Sequence, residues 1–336
     1  MKTSIFTDIT TFDTLSEEWD DLVKRAISAP FFMRYAYQRA WWQYLGNDDL
    51  VLITVRDDDG QLVGLAPLYG KVNQTGQREL TFVGCVAVSD YLDLLVDQTH
   101  AEAIYTTLLD GFASADLSWD RLYLCSLPHT SPTLACFAEL VQQRGWSVEI
   151  SQQDVCPVIT LADSWDNYLA GIVKKQRHEI RRKIRRLERE AQVERVIIDS
   201  ETGLDEAMDI FIDLHQKSTP DKEDFWSDKL ISFFKAFAHD AAQAGWLKLY
   251  FLEVDGVKVA AMLCFDYNNE FLLYNSGYDP AQAALSVGNV LTSYTIQAAI
   301  ELGRTRYDFL RGDETYKFRF GAKAEPVYDL QITRDA

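Results

Sequence analysis

No stretch of the 336 residues approaches about 18 uninterrupted apolar positions, the length a helix needs to cross a bilayer. The opening segment, Met1-Lys2-Thr3-Ser4-Ile5-Phe6-Thr7-Asp8, also lacks the apolar core of a secretion signal. A membrane span is therefore not expected, and a cytoplasmic location is. Cysteine is scarce: Cys85, Cys125, Cys136, Cys156 and Cys264 are odd in number, scattered mostly through apolar runs, and never spaced Cys-x-x-Cys. That argues against a disulfide framework or a thiolate metal site and predicts reduced, mostly buried thiols. Positive charge is short as well. Thirty-three Lys and Arg against 51 Asp and Glu give a formal net charge of −18, so the surface as a whole is unsuited to displacing counterions from DNA. A local basic site is compatible with that balance. Neither metal-ligand spacing nor a Walker-type loop appears, so no metal is expected.

What the chain does have is a pattern that occurs twice. Leu50 to Arg56, a turn at Asp59-Gly60, and Leu62 to Leu68 read as strand, turn and strand. Leu247 to Val254, Asp255-Gly256, and Val257 to Phe265 repeat the unit. Each hairpin is followed by a strand, a helix and a strand: 80–84, 102–114 and 121–124 in the first half, 271–274, 288–302 and 306–309 in the second. Helical segments precede each hairpin too, Glu17 to Ala26 and Arg34 to Leu45, then Leu204 to Lys217 and Lys229 to Ala244. Five elements in the same order favour tandem mixed α/β domains, drawn at 1–160 and 193–336.

Between them, 161–192 reads as a helical run from Trp165 to Ala191. Leu169, Ile172, Val173, Ile180, Ile184 and Leu187 recur at three- and four-residue spacing and form an apolar stripe. The opposite face carries Lys174, Lys175, Arg177, Arg181, Arg182, Lys183, Arg185, Arg186 and Arg189, a dense cationic cluster in an acidic protein. It is either a solvated face or an anion site for an acidic acceptor, a nucleotide phosphate or a polyanionic partner.

The last third holds the most informative sequence. After Leu273-Tyr274-Asn275-Ser276-Gly277-Tyr278 the chain turns through Asp279-Pro280 to Ser286-Val287-Gly288-Asn289 and enters the helical pattern of Val290, Leu291, Tyr294 and Ile300. Unpaired N–H groups at such a helix start, with the positive end of the dipole, suit a pyrophosphate. A strand then ends in Tyr307-Asp308-Phe309-Leu310-Arg311-Gly312-Asp313, with Tyr316 and Lys317 just beyond.

In order along the chain, Phe31-Phe32 through Trp41-Trp42, Gly64 to Leu68, Ser89-Asp90-Tyr91-Leu92-Asp93, Lys174 to Arg189 and, most specifically, Asp308 to Gly321 resemble the cellulose-biosynthesis-type (CelD/BcsL-like) acetyltransferases of the GNAT superfamily, relatives of the Fem-type aminoacyltransferases. The resemblance implies two GNAT-like domains, each a mixed, mostly antiparallel sheet flanked by helices. It implies acetyl-CoA or another acyl-CoA bound in the C-terminal domain where adjacent strands splay. Leu273, Tyr274 and Asn275 would pair with the pantetheine amides, and Ser286, Val287, Gly288 and Asn289 would hold the pyrophosphate. The turn departs from the Arg/Gln-x-x-Gly-x-Gly/Ala form of the wider superfamily, since Gly288 is its one glycine.

Direct acyl transfer needs a base, a stabilised carbonyl oxygen and a proton for the leaving thiolate. Candidate bases are His215, Asp308 and Asp313; the first is a family position, or else a helix-end histidine. Tyr316 is a candidate proton donor. The Tyr316-Lys317 pair matches the aromatic-Lys pair of Fem-type enzymes, and Arg311 and Lys317 are candidates to polarise the carbonyl or grip an acidic acceptor. An ion-pair network pinning this turn is the competing reading. Asp90, Tyr91, Arg177 and Arg181 are candidate acceptor-binding residues, and a sugar-containing or polysaccharide-linked acceptor is expected, with polysaccharide-synthesis proteins as partners. Two other functions fit the resemblance: aminoacyl transfer from tRNA to a cell-wall precursor, and a non-catalytic scaffold in exopolysaccharide assembly.

Overall fold

The two hairpins read from sequence sit within two strand runs of the same design. The computed structural model describes all residues except 47–48, 86–87, 220–221, 223 and 335–336. The chain divides into two compact units, Met1–Asp154 with Pro326–Ala336, and Val155–Glu325. The basic 161–192 segment thus lies within the second unit, and the last eleven residues group with the first.

In chain order the first unit contains β1 (Lys2–Phe6), α1 (Ile9–Thr14), α2 (Ser16–Arg25), α3 (Tyr35–Leu45), β2 (Asp49–Arg56), β3 (Leu62–Val72), β4 (Arg78–Phe82), β5 (Leu95–Val96), α4 (Ala101–Phe112), β6 (Arg121–Pro128) and α5 (Ala138–Gln143). Strand β7 (Ser147–Thr160) carries the chain into the second unit, where α6 (Trp165–Gly171), α7 (Lys174–Glu190), β8 (Val193–Ile198), α8 (Leu204–Ser218), α9 (Asp228–Gln243), β9 (Leu247–Val254), β10 (Val257–Tyr267), β11 (Glu270–Tyr278), α10 (Val287–Glu301), β12 (Arg306–Asp308) and α11 (Thr315–Arg319) follow. Strand β13 (Lys323–Thr333) returns to the first unit.

Strand order is β1-β2-β3-β4-β6-β13 in the first unit and β8-β9-β10-β11-β12-β7 in the second. The fourth and fifth strands of each run are parallel, β4 with β6 and β11 with β12, and their neighbours along each run pair antiparallel. The parallel pair is where a helix makes the crossover, α4 in one unit and α10 in the other, as parallel strands require. Both crossover helices begin from a residue in the left-handed region, His100 and Ser286. The Asp255-Gly256 hairpin has positive φ at both residues, the geometry that Asp-Gly supplies for a two-residue turn.

Two sequence expectations change here. The helical run from Trp165 to Ala191 is two helices, because Ile172 and Val173 adopt extended backbone; Ser164 caps the first through Asn167 N–H. Val173 consequently leaves the apolar stripe and is 72% exposed, while Leu169, Ile172, Ile180 and Leu187 are buried. Cys85 and Cys125, expected as reduced thiols, are joined in a disulfide. Forty residues separate them in sequence, but the parallel pairing of β4 and β6 brings their Cα atoms to 6.1 Å. Cys156 and Cys264 are buried free thiols, and Cys136 is exposed. The aromatic segment behaves as core: Phe31, Phe32, Tyr37 and Trp41 are buried.

Candidate active site

Strand β11 builds the site. Its ladder with β12 runs through Glu270↔Arg306 and Phe271↔Tyr307 and ends at Leu272↔Asp308, whereas β11 continues to Tyr278. The register with β10 slips between Leu263 and Cys264, so one residue of β11, Tyr274, is inserted as a bulge. Helix α8 lies against the far end of the strand. It can do so because residue 277 is glycine: a Cβ there would fall 2.3 Å from the backbone nitrogen of His215.

His215 is 2% exposed and both ring nitrogens are engaged. Nε2 donates to Asn275 Oδ1 at 2.6 Å, and Nδ1 accepts from Trp226 Nε1 at 3.0 Å, which sets the neutral Nε2–H tautomer. Burial, with a smaller contribution from the Lys222 charge, lowers its pKa to about 4 against the opposing Asn275 bond. A general base needs a free lone pair and a pKa near the working pH. His215 has neither, so the sequence assignment as base gives way to a positioning role: it fixes the Asn275 side chain, whose Oδ1 also accepts from Ser276 N–H at 3.0 Å.

Beyond Asn275, a cavity of about 280 Å³ opens against β10, β11, the start of α10, and α11. Met262, Ser276, Tyr278, Gly288, Thr292 and Tyr316 are among the residues that line it, and so are Ser286, Val287 and Asn289 of the predicted pyrophosphate turn. All four turn residues therefore meet the cavity at the start of the helix. The first intrahelical bond is Val290 N–H to Ser286 O at 3.1 Å, which leaves the N–H groups of Val287, Gly288 and Asn289 ahead of the ladder. No acidic residue occupies that first turn, in contrast to Glu102 at the start of α4 in the first unit. A Cβ at Gly288 would meet only Tyr278, at an ordinary 3.8 Å, so the fold itself does not demand glycine there. Leu273 is buried, and Tyr274 and Asn275 are half-buried.

Tyr316 is brought in from α11. Burial, reinforced by the Glu314 carboxylate, pushes its phenol pKa up, while a hydrogen bond with the Ser276 side chain acts the other way. The phenol is a held proton. Lys222, which the sequence did not single out, donates to Ser276 O at 2.5 Å, and burial pulls its pKa down, with Glu314 opposing and Lys317 assisting.

The charged turn after β12 is built for rigidity. Asp308, 1% exposed, accepts from Leu310 N–H at 2.7 Å; Leu310 and Gly312 both have positive φ. Lys317 is buried, and its ammonium donates to the carbonyls of Leu310 (3.3 Å), Arg311 (2.9 Å) and Gly312 (3.0 Å) and pairs with Glu314 at 2.8 Å. Those contacts use all the donors of an ammonium. Lys317 thus pins the turn on which Tyr316 stands, which is the network reading that the sequence left open beside carbonyl polarisation or the grip of an acidic acceptor. Asp313 is exposed and Arg311 half-buried on the same turn.

A second cavity, about 240 Å³, lies between α7 and α10, with Asn289 in the walls of both. Lys175, Lys183, Ser293, Arg319 and Phe320 help line it. Arg177 and Arg181 are elsewhere on α7: Arg177 donates to Ala170 O at 3.1 Å, capping α6, and Arg181 reaches Asp166 at 3.4 Å. Asp90 and Tyr91 belong to the first unit, between β4 and β5, the former buried and the latter half-buried.

Residues 174–318 match the family described as "Acetyltransferase (GNAT) domain". A search of curated proteins gives no match. Among solved structures the chain is similar to FemX (13% identity, TM-score 0.67, covering 98% of this chain and 97% of that one). It is also similar to L-PGS from Bacillus licheniformis (13%, 0.59, 95% and 91%) and to a conserved protein of unknown function from Bacteroides thetaiotaomicron (12%, 0.61, 98% and 99%). Identities this low speak for the fold alone. Over residues 174–318 the chain is similar to the acetyltransferase (GNAT) domain, and its fold is of the GNAT type.

Proposed function

We propose that the second unit moves an acetyl or other acyl group from acyl-CoA to an amine or hydroxyl by direct attack, with a sugar-containing or polysaccharide-linked acceptor. The observation that carries the donor half is the open start of α10: leading N–H groups, no acid in the first turn, and space over Gly288, all facing one cavity. Such a start suits a pyrophosphate. Ser286, Val287, Gly288 and Asn289 would hold it, and β11 at Leu273, Tyr274 and Asn275 would receive the pantetheine arm.

Tyr316 supplies the chemistry on this reading. Its neutral phenol holds a proton at Oη for a departing sulfur, and the Ser276 hydroxyl steadies the oxygen as it loses that proton. No carboxylate or imidazole lines the cavity among the described residues. The reaction therefore relies on an acceptor whose nucleophile arrives neutral and gives its proton to water. Bond formation at the carbonyl carbon and cleavage of the C–S bond need no enzyme nucleophile.

The test is thiol release from acetyl-CoA in the presence of amino sugars, sugars and oligosaccharides, followed by mass analysis of the acceptor. Acceptor-dependent thiol release with a matching mass gain supports the reading; release with none of the acceptors removes its acceptor half. A second reading, aminoacyl transfer from tRNA to a cell-wall precursor, is favoured by the cation density of α7, and coenzyme A binding separates the two. A scaffold in exopolysaccharide assembly would show neither binding nor turnover.

A further inference from the structure

The cavity between α7 and α10 gathers cations from α7 and α11. Along α7, Arg182 pairs with Glu179, Arg186 with Glu190, and Arg181 with Asp166. Facing the cavity, Lys175, Lys183 and Arg319 share one carboxylate, Glu179, which lies 4.0 Å from Lys183 and is already forked onto Arg182. Lys175 and Arg319 have no ion-pair partner among the described residues. In a chain with 18 surplus negative charges, three cations around one partly shared carboxylate is an anion site, because like charges crowded in a recess repel unless a counter-charge enters. Burial first, and then the neighbouring Arg319, lower the pKa of Lys183, with Glu179 opposing.

Position supplies the rest. On α10, Gly288 and Thr292 face the first cavity, Ser293, one residue further round from Thr292, faces the second, and Asn289 lines both. A ligand whose pyrophosphate sits on the helix start has its next phosphate within reach of this recess. Phe320 and Ile180 give apolar walls for a ribose or base. We infer that this cavity is a phosphomonoester pocket that reads the 3′-phosphate of a coenzyme A donor, with Lys183 and Arg319 as its principal cations. The inference rests on the acyl-CoA reading above and extends it to donor selectivity.

The experiment is calorimetric titration with coenzyme A and with 3′-dephospho-coenzyme A, on the wild-type protein and on Arg319→Gln and Lys183→Met. Wild type should bind coenzyme A about tenfold or more tightly than the dephospho form, the scale of charge-assisted hydrogen bonds to one phosphate. Each variant should lose most of that preference while keeping its affinity for the dephospho form, which also shows that it is folded. Equal affinity of wild type for both ligands overturns the pocket and leaves the acyl-CoA reading standing. A preference that survives in both variants overturns the assignment to this cavity. Binding of neither ligand removes the acyl-CoA reading itself.

Discussion

Gly277 and His215 touch through their backbones: a Cβ at 277 would lie 2.3 Å from the His215 nitrogen and 2.5 Å from its Cα. Neither backbone is the end of a flexible side chain, so the contact cannot relax cheaply. Gly277→Ala is expected to cost about 3 kcal/mol by overpacking. Urea unfolding of the two proteins measures it; a change under about 1 kcal/mol would mean that α8 moves away freely.

His215 makes stability depend on pH. Its folded pKa is about 4 against 6.5 for the ordinary side chain. Between those values the unfolded chain takes up a proton that the folded chain refuses, so the contribution is full above pH 6.5 and drains away as pH falls towards 4. The loss is on the order of 3 kcal/mol at 1.36 kcal/mol per pH unit. Subtracting the pH–stability curve of His215→Gln from that of wild type should isolate this limb. A flat difference across that window would show that the imidazole is not held neutral.

Lys317 tests structure against chemistry. Lys317→Met strands the carbonyls of Leu310, Arg311 and Gly312 without the ammonium. A destabilisation of about 3 kcal/mol is expected, in keeping with loss of a buried charged donor. If melting is unchanged while turnover disappears, the ammonium acts on substrate and the pinning role is wrong.

Tyr316→Phe should do the reverse. Turnover should fall about a hundredfold with KM for the donor little changed, the usual scale for loss of one general acid. Because the phenol sits beside a cavity, stability should change by no more than about 1 kcal/mol. Undiminished kcat would remove Tyr316 from the reaction.

The architecture was legible because it is carried by local signals. Asp255-Gly256 announces its turn by the positive φ that both residues adopt, and alternating or continuous apolar runs mark β9 and β10. The repeat of hairpin, strand, helix and strand then fixes which strands become parallel. The turn at Ser286 to Asn289 was readable for the same reason, as four consecutive residues entering a helix. Contacts that join distant residues were not. The partners that occupy His215, Trp226 and Asn275, are 11 and 60 residues away, and nothing in Phe-Ile-Asp-Leu-His signals that both nitrogens are taken. Lys317 reads as a catalytic cation or as part of a pinning network until its three carbonyl acceptors are seen. Lys183 and Arg319 converge from separate helices, and Cys85 meets Cys125 only through strand pairing.

The central claim is that the start of α10 holds the pyrophosphate of an acyl-CoA. Calorimetric titration of acetyl-CoA into wild type and Gly288→Trp tests it most directly, since residue 288 has open space in the fold and an indole there would fill the cavity instead. Saturable binding to wild type, lost in a variant that melts like wild type, is the predicted result. No binding to wild type, or equal binding to both proteins, would contradict it.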